Sequence, residues 1–284
     1  MTSFDVIAYL RGVLKTRKIG HSGTLDPDAA GVLPVFVGHA TKVIEYAAHD
    51  DKQYRAELVL GISTDTQDST GNVIRVEKAD VSPEEIAKAV SSFRGKILQT
   101  PPMYSAVKIG GRKLYELARE GRSVERQPRE VEIHSAEIVS IRDSRVVLLD
   151  VTCSKGTYIR TLCADIGDSL GCGAHMSFLL RRRAGIFELS SALTLEEIAQ
   201  EAGNNRLEEK FLDAGAILTG YRKLTVEDIP AKKLMSGGFI PAPSGFEEDD
   251  RVRLYAAGER FFALGRVIDR EGVRLIKPDK VFEG

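Results

Sequence analysis

Gly20-His21-Ser22-Gly23-Thr24-Leu25-Asp26-Pro27 is the most distinctive stretch of the 284-residue chain. Pro27 biases Asp26 away from helical angles and toward an extended backbone, and Gly23 permits a tight approach of the chain. A carboxylate held in such a loop can point into a cleft. The same residues also fit an Asx-turn ahead of a proline. The surrounding residues 19–38 hold Gly31, Pro34 and Gly38 as well, and read as a structured loop leading into a short apolar strand. Upstream, Val6, Leu10 and Val13 make an apolar stripe on a helix over Ser3 to Leu14. Thr2 or Ser3 can cap it, and Lys15, Arg17 and Lys18 suit its C-terminus.

Downstream, Tyr54 to Leu60 reads as a strand and Thr64 to Gly71 as a polar turn. Ser82-Pro83-Glu84-Glu85 is a helix start with a cap, a first-turn proline and a third-position glutamate. Residues 100–130 are rich in glycine and charge, with a short helix from Leu114 to Arg119 that stops at Gly121. Val131 to Ile141 and Val146 to Thr152 look like paired strands, Tyr158 to Leu170 like a helix, and Thr194 to Glu197 like a second capping box. Past Tyr221, short strands (Arg251–Tyr255, Phe261–Val267, Val273–Ile276) alternate with Gly and Asp turns, which predicts a small β-rich C-terminal domain.

A hydrophobic fraction of 43% against 29% charged residues allows a sizeable core. Forty Lys+Arg against 41 Asp+Glu exclude a uniformly basic nucleic-acid coat, but the sum hides segregation. Ser105 to Glu130 and Cys153 to Gly185 each carry a net +3, while Thr194 to Asp213 carries −4. Arg181-Arg182-Arg183 beside a glycine-rich loop leans toward a polyanion partner. There is no apolar run of transmembrane length and no basic, apolar leader at the N-terminus. Three cysteines without CxxC spacing fit a reduced, cytoplasmic compartment.

A second candidate is Ser154-Lys155-Gly156-Thr157-Tyr158-Ile159-Arg160, which lies between a predicted strand and a predicted helix. Arg160 falls in the first helical turn, where a guanidinium can pair with a loop carboxylate and keep it ionised. The bland alternative is a surface ion pair worth little. Ser105-Ala106-Val107-Lys108 matches SxxK of acyl-serine enzymes, but its companion elements are absent. Cys172 and His175 have metal-like spacing without a second pair, so no metal site is expected. Walker A, GxGxxG and GxSxG motifs do not occur, so no nucleotide cofactor is expected.

Together these segments resemble the TruB family of tRNA pseudouridine synthases. The likeness rests on Gly20 to Pro27, Gly31-Val32-Leu33-Pro34, Gly38 to Lys42, Lys52-Gln53-Tyr54 and Thr64-Asp65-Thr66. It continues through Pro101 to Ala106, Leu114 to Arg119, Lys155 to Arg160 and Gly173-Ala174-His175. The resemblance implies an α+β fold with a mixed, largely antiparallel sheet. It places a catalytic domain at 1–222, a thumb-like insertion at 101–130 and a PUA-like RNA-binding domain at 223–284.

The implied reaction is isomerisation of the T-loop uridine of tRNA, which needs no cofactor. Asp26 falls on the catalytic aspartate, Tyr54 on the tyrosine that stacks on the uracil, and Arg160 on the arginine that pairs with the aspartate. Tyr158 and Leu179 fall on base-pocket residues, and His21 near the flipped nucleotides. Arg181 is expected to contact substrate through phosphate. The implied partner is the T arm of tRNA, bound by a monomer away from any membrane. Family members usually carry a strand and a Lys-Pro-x-Gly segment ahead of the Met-Thr-Ser. This chain starts at that Met, which implies an open edge on a neighbouring strand. The rival classes are a non-catalytic tRNA-binding chaperone and, from SxxK alone, an acyl-serine hydrolase.

Overall fold

A computed structural model describes residues 1–47 and 51–282. Thr2 caps the first helix, α1 (Ser3–Val13). Its hydroxyl accepts from the Asp5 N–H while the Asp5 carboxylate accepts from the Thr2 N–H. Its buried stripe runs through Ser3, Ile7 and Leu10, so Ile7 takes the place expected of Val6, which is half-buried. The loop that follows forms β1 (Ile19–His21), β2 (Ala30–Gly31) and β3 (Val35–Val37), and a short helix α2 (Ile44–Ala47) comes next. The long strand β4 (Lys52–Leu60) precedes a hairpin of β5 (Ile62–Thr64) and β6 (Val73–Val76).

Ser82 and Glu85 cap α3 (Pro83–Ser92) reciprocally, with Pro83 in its first turn, and β7 (Gly95–Gln99) follows. Residues 101–130 hold a small hairpin, β8 (Lys108–Ile109) and β9 (Arg112–Lys113), then α4 (Leu114–Arg119). Gly110 and Gly111 both have positive φ, which a two-residue hairpin turn of this hand requires. Next come β10 (Arg129–Arg142), β11 (Val146–Cys153), α5 (Ile159–Ser169), β12 (Ala174–Ala184), β13 (Phe187–Glu188) and α6 (Leu195–Gly203). The remaining elements are β14 (Arg222–Thr225), α7 (Asp228–Met235), β15 (Ile240–Pro241), β16 (Arg251–Ala256), β17 (Arg260–Arg270) and β18 (Val273–Val281).

The chain divides into two compact units, one of Leu25–Val32 and His49–Ala192, the other of Met1–Thr24, Leu33–Ala48 and Leu193–Gly284. The first is built on a seven-stranded sheet ordered β13-β12-β4-β11-β10-β7, with β2 added alongside β12. Only the β2–β12 pairing is parallel, so the sheet is mixed and largely antiparallel as expected. One face alternates Ala56, Leu58 and Leu60 of β4 with Val147, Leu149 and Val151 of β11. It packs against Ile86 and Val90 of α3 and Ile159, Leu162 and Ile166 of α5. Cys153, Cys163 and Cys172 are free and buried, and burial pushes the Cys153 and Cys163 thiols up to about 12. They are packing residues.

The opposite face is polar. Asp150 receives a two-bond contact from Arg55, both distances 2.7 Å, and a third from Arg182 at 2.9 Å. Arg181, Arg182 and Arg183 are therefore strand residues of β12 and not part of an exposed loop. Arg181 points to the apolar face, where only 1% of it is exposed, and Arg182 to the polar one. This corrects the expectation for Arg181, whose charge is turned inward, while Arg182 and Arg183 remain part-exposed. The strand itself escaped the sequence pattern because its register slips at Met176/Phe178 and again at Arg181/Arg183. Each bulge breaks the two-residue period by which a strand is recognised.

In the second unit, β14-β16-β17-β18-β15 form a five-stranded sheet covered by α7 around a core that includes Leu234, Val252, Leu254, Phe262 and Ile276. It is the expected PUA-like β-rich domain, with strands longer than the sequence suggested. The same unit packs Ile7, Leu10 and Ile19 against Leu195 and Ile198 of α6. Among the described residues no helix is long and apolar enough to cross a membrane.

Candidate active site

Asp26 begins a tight turn in which the Ala29 N–H donates to the Asp26 main-chain carbonyl at 3.0 Å, with Pro27 at the second position that suits its fixed φ. Three residues beyond that turn the chain is fastened to the sheet. The Val32 N–H donates to the Arg181 carbonyl at 2.9 Å, and the Arg181 Nε donates to the Val32 carbonyl at 2.7 Å. Gly31 makes this approach possible. Its φ is +106°, and a Cβ there would lie 2.2 Å from the Arg181 carbonyl oxygen. Any side chain at residue 31 would push the Asp26 loop off β12.

Arg160 stands in the first turn of α5 with its side chain 5% exposed. Five oxygens surround its guanidinium. Nε meets Asp26 Oδ2 at 2.8 Å and Nη2 meets Asp26 Oδ1 at 3.2 Å. The Tyr104 carbonyl accepts at 2.8 Å, the Thr66 carbonyl accepts at 3.0 Å, and Asp68 Oδ2 lies 3.5 Å from Nη1. A buried cation is tolerated only when its donors are met and its charge compensated, and this cage does both. Asp68 is itself held by the Thr66 hydroxyl at 2.6 Å and by the Thr70 hydroxyl and N–H at 2.6 and 3.0 Å. The Thr161 hydroxyl donates to Gln67 at 2.7 Å, tying the same loop to α5.

The Asp26 side chain is 39% exposed, so its open side faces solvent while Arg160 closes the other. Burial pushes its carboxyl above the ordinary value, the Arg160 guanidinium pulls it back, and Asp68 and Asp28 add to the rise. The result is a carboxylate more basic than a free one yet held in one orientation by a bidentate partner.

Tyr54 lies on β4 directly between Val151 of β11 and Arg181 of β12. Burial raises its phenol, the hydrogen-bonded Arg181 guanidinium lowers it, and Asp26 is near enough for its charge to raise it again. Arg181 thus links the Asp26 loop, through Val32, to Tyr54. Leu179, two residues before it on the same strand, is 7% exposed and belongs to the core. Tyr158 is the residue that caps α5, and its main chain is bonded to the Gln99 side chain. His21 ends β1 in the other compact unit, half-buried and paired in register with Val35.

The structure therefore brings Asp26, Arg160, Tyr54, Arg181, Leu179 and Tyr158 into one unit. Sequence reasoning missed Asp68 and Gln99, and it could not have assigned the Thr66 and Tyr104 carbonyls. A main-chain acceptor has no residue signature. Asp68 stood two residues past a motif already noted, Thr64-Asp65-Thr66. In the SxxK stretch, Ser105 is buried and Lys108 is exposed on β8.

A family profile described as TruB family pseudouridylate synthase (N terminal domain) matches residues 11–159. A second, described as tRNA pseudouridylate synthase B C-terminal domain, matches residues 160–217. Proteins named tRNA pseudouridine synthase B are similar along most of the chain. One from Moorella thermoacetica is 47% identical over 297 residues, covering 100% of this chain and 96% of its own. One from Alkaliphilus oremlandii is 49% identical over 240 residues, covering 84% and 79%. Among solved structures, a chain of a Cbf5-Nop10-Gar1 complex superposes with a TM-score of 0.75 at 28% identity, covering 100% of this chain and 82% of its own. A chain of an H/ACA RNP bound to a substrate RNA containing 2′-deoxyuridine superposes with a TM-score of 0.73 at 25% identity, with the same coverage.

Proposed function

This chain belongs to the TruB family of pseudouridylate synthases, and on that premise we propose that the site around Asp26 is where its reaction occurs and that the uridine it converts lies in the T loop of tRNA. The protein is an enzyme that isomerises uridine to pseudouridine in tRNA. The observation that carries the site is the bidentate pair of a part-exposed Asp26 with a buried Arg160. A guanidinium this enclosed can serve a carboxylate in only one position, and the free side of that carboxylate is the side a nucleotide can reach.

The reaction breaks the bond from uracil N1 to ribose C1′ and forms one from C5 to C1′. C5 loses a proton and N1 ends with one, so the formula is unchanged and no oxidant or group carrier is required. An ionised Asp26 serves each of three first steps: attack on the ribose anomeric carbon, attack on the uracil ring, or removal of a ribose proton. All three depend on the charge that Arg160 maintains. The target base must leave its stack in the folded loop, and an aromatic face such as that of Tyr54 restores about 1–3 kcal/mol per base. In this reading Leu179 and Tyr158 line the base pocket and Arg181 acts by holding Tyr54. Residues 1–222 form the catalytic domain, residues 101–130 a thumb, and residues 223–284 the RNA-binding domain.

A tRNA transcript carrying 5-tritiated uracil tests the proposal. We expect one equivalent of tritium released per tRNA, and none when cytidine replaces the T-loop uridine. Binding without release would mark a non-catalytic RNA-binding protein, and release from the cytidine variant would move the target elsewhere in tRNA.

Tyr54→Phe and Tyr54→Leu separate two functions of that ring. Phenylalanine keeps the stacking face but loses the hydroxyl and leaves an Arg181 donor unmet; leucine loses the face as well. The Phe variant is expected to bind tRNA like the wild type and turn over more slowly. The Leu variant should lose a further 1–3 kcal/mol, about 5- to 150-fold, in productive binding. Single-turnover rates and dissociation constants of both variants are the measurement. Wild-type values in both would remove Tyr54 from the site.

A further inference from the structure

Gln99 is the last residue of β7, the edge strand of the catalytic sheet, and is 2% exposed. Its amide pairs with one peptide unit on each side of Tyr158. Gln99 Oε1 accepts from the Tyr158 N–H at 2.7 Å, and Nε2 donates to the Tyr158 carbonyl at 3.0 Å. Both ends of the amide are thereby satisfied, as a buried amide requires.

Tyr158 is the cap residue of α5, with extended dihedrals (φ −98°, ψ 108°) and no side-chain hydrogen bond to the helix. A helix normally takes such a cap from Ser, Thr, Asp or Asn. Here the cap residue is fixed from outside. Its carbonyl also accepts the Leu162 N–H at 3.0 Å, the first hydrogen bond of the helix, so Gln99 grips the atom at which α5 begins. Arg160 follows two residues later. Five residues beyond Gln99 along the chain, the Tyr104 carbonyl accepts from the Arg160 guanidinium at 2.8 Å. The segment leading from β7 into residues 101–130 is therefore tied to the first turn of α5 twice, once at its cap and once at its arginine.

We propose that Gln99 is a positioning residue for the reaction, setting the start of α5 so that the Arg160 guanidinium meets both carboxylate oxygens of Asp26. The proposal rests on the assignment of Asp26 and Arg160 to the active site. The hydrogen bonds of the Gln99 side chain go to the Tyr158 main chain and to neither of these residues. It acts through Tyr158, and a shift of the helix start by a fraction of an ångström is carried directly to Arg160.

The test compares wild type with Gln99→Met, which fills the same space without hydrogen bonds, and Gln99→Glu, which keeps the acceptor for the Tyr158 N–H and sets an oxygen against its carbonyl. Four quantities are read: kcat and KM for tritium release, the tRNA dissociation constant, the thermal midpoint, and the acid limb of the single-turnover rate. Misplacing a catalytic group by about 1 Å costs on the order of 10²-fold, so kcat should fall about 10- to 100-fold in Gln99→Met and less in Gln99→Glu. The dissociation constant should stay near wild type. The groups facing the Asp26 carboxylate are Arg160, Asp68 and Asp28. Weakening only the Arg160 contact leaves two like charges in place, so the acid limb should move to higher pH.

A role confined to folding would lower the thermal midpoint and leave the acid limb and the kcat of the folded fraction unchanged. That result, or a wild-type kcat in either folded variant, would overturn the proposal. If one variant fails to fold, the other decides. Tritium release by wild type and its loss in Asp26→Asn test the active-site assignment independently.

Discussion

Asp26→Asn is expected to abolish conversion of uridine while tRNA binding stays within a few-fold of wild type. Asparagine keeps the shape of the side chain but is neither a nucleophile nor a base at neutral pH. The fold should survive the change. Arg160 retains Asp68 and the Thr66 and Tyr104 carbonyls, so its charge is not left without an acidic neighbour. What disappears is the anionic oxygen that faces solvent. The measurement is tritium release with saturating tRNA, with mass spectrometry excluding deamidation. Appreciable turnover in the pure Asn variant would move the chemistry to another residue. The pH dependence of wild type follows from the same carboxylate. The ionised form reacts, so the rate is complete above its titration and lost as pH falls through it. Burial places that titration above the usual aspartate value.

Arg160→Lys is the second large effect, although the substitution keeps the charge. Three of the five oxygens around the guanidinium accept its N–H groups, those of Asp26 Oδ1, Thr66 and Tyr104, and the other two lie within 3.5 Å as ion-pair contacts. An ammonium has three donors on a flexible stem and cannot hold both oxygens of Asp26 while reaching Thr66 and Tyr104. At least one buried carbonyl is left unmet, and Asp26 and Asp68 are less well separated by positive charge. Losing one preorganised partner of a reacting group commonly costs about 10²- to 10³-fold, and we expect a single-turnover loss in that range with saturating tRNA. The thermal midpoint should fall as well, because unmet buried acceptors destabilise the native state. Near wild-type catalysis would make Arg160 a structural residue only.

Much of the molecule was legible residue by residue. The capping boxes at Ser82/Glu85 and Thr194/Glu197 form as their spacing predicts, and of the two caps offered for α1 it is Thr2 that serves, reciprocally with Asp5. So does the pairing of the predicted strands over 131–141 and 146–152, joined by a turn with Asp143 and Ser144 at positive φ. The placement of Arg160 in the first turn of α5 was also readable, whereas the turn at Asp26 closes through its main-chain carbonyl and leaves the carboxylate to Arg160 instead of forming the Asx-turn. The glycine that matters most lies outside the Gly20–Pro27 motif. Gly23 drew notice for its place in the motif, whereas Gly31 is the one whose missing Cβ lets the loop close on β12.

By itself the sequence determined the local elements, the family and the candidate pair of Asp26 and Arg160, because each depends on residues a few positions apart or on a string of ordered motifs. Tertiary structure alone decided that β12 is a bulged internal strand, that Arg181 turns inward to Val32 and Tyr54, and that Arg182 is matched by Asp150. It alone placed Asp68, Tyr104 and Thr66 around Arg160 and set Gln99 against the start of α5. The physical reason is the same in each case. Whether a charge is buried depends on which strand lies beside it, and a carbonyl becomes an acceptor for a particular guanidinium only when chain segments 56 or 94 residues apart in sequence meet.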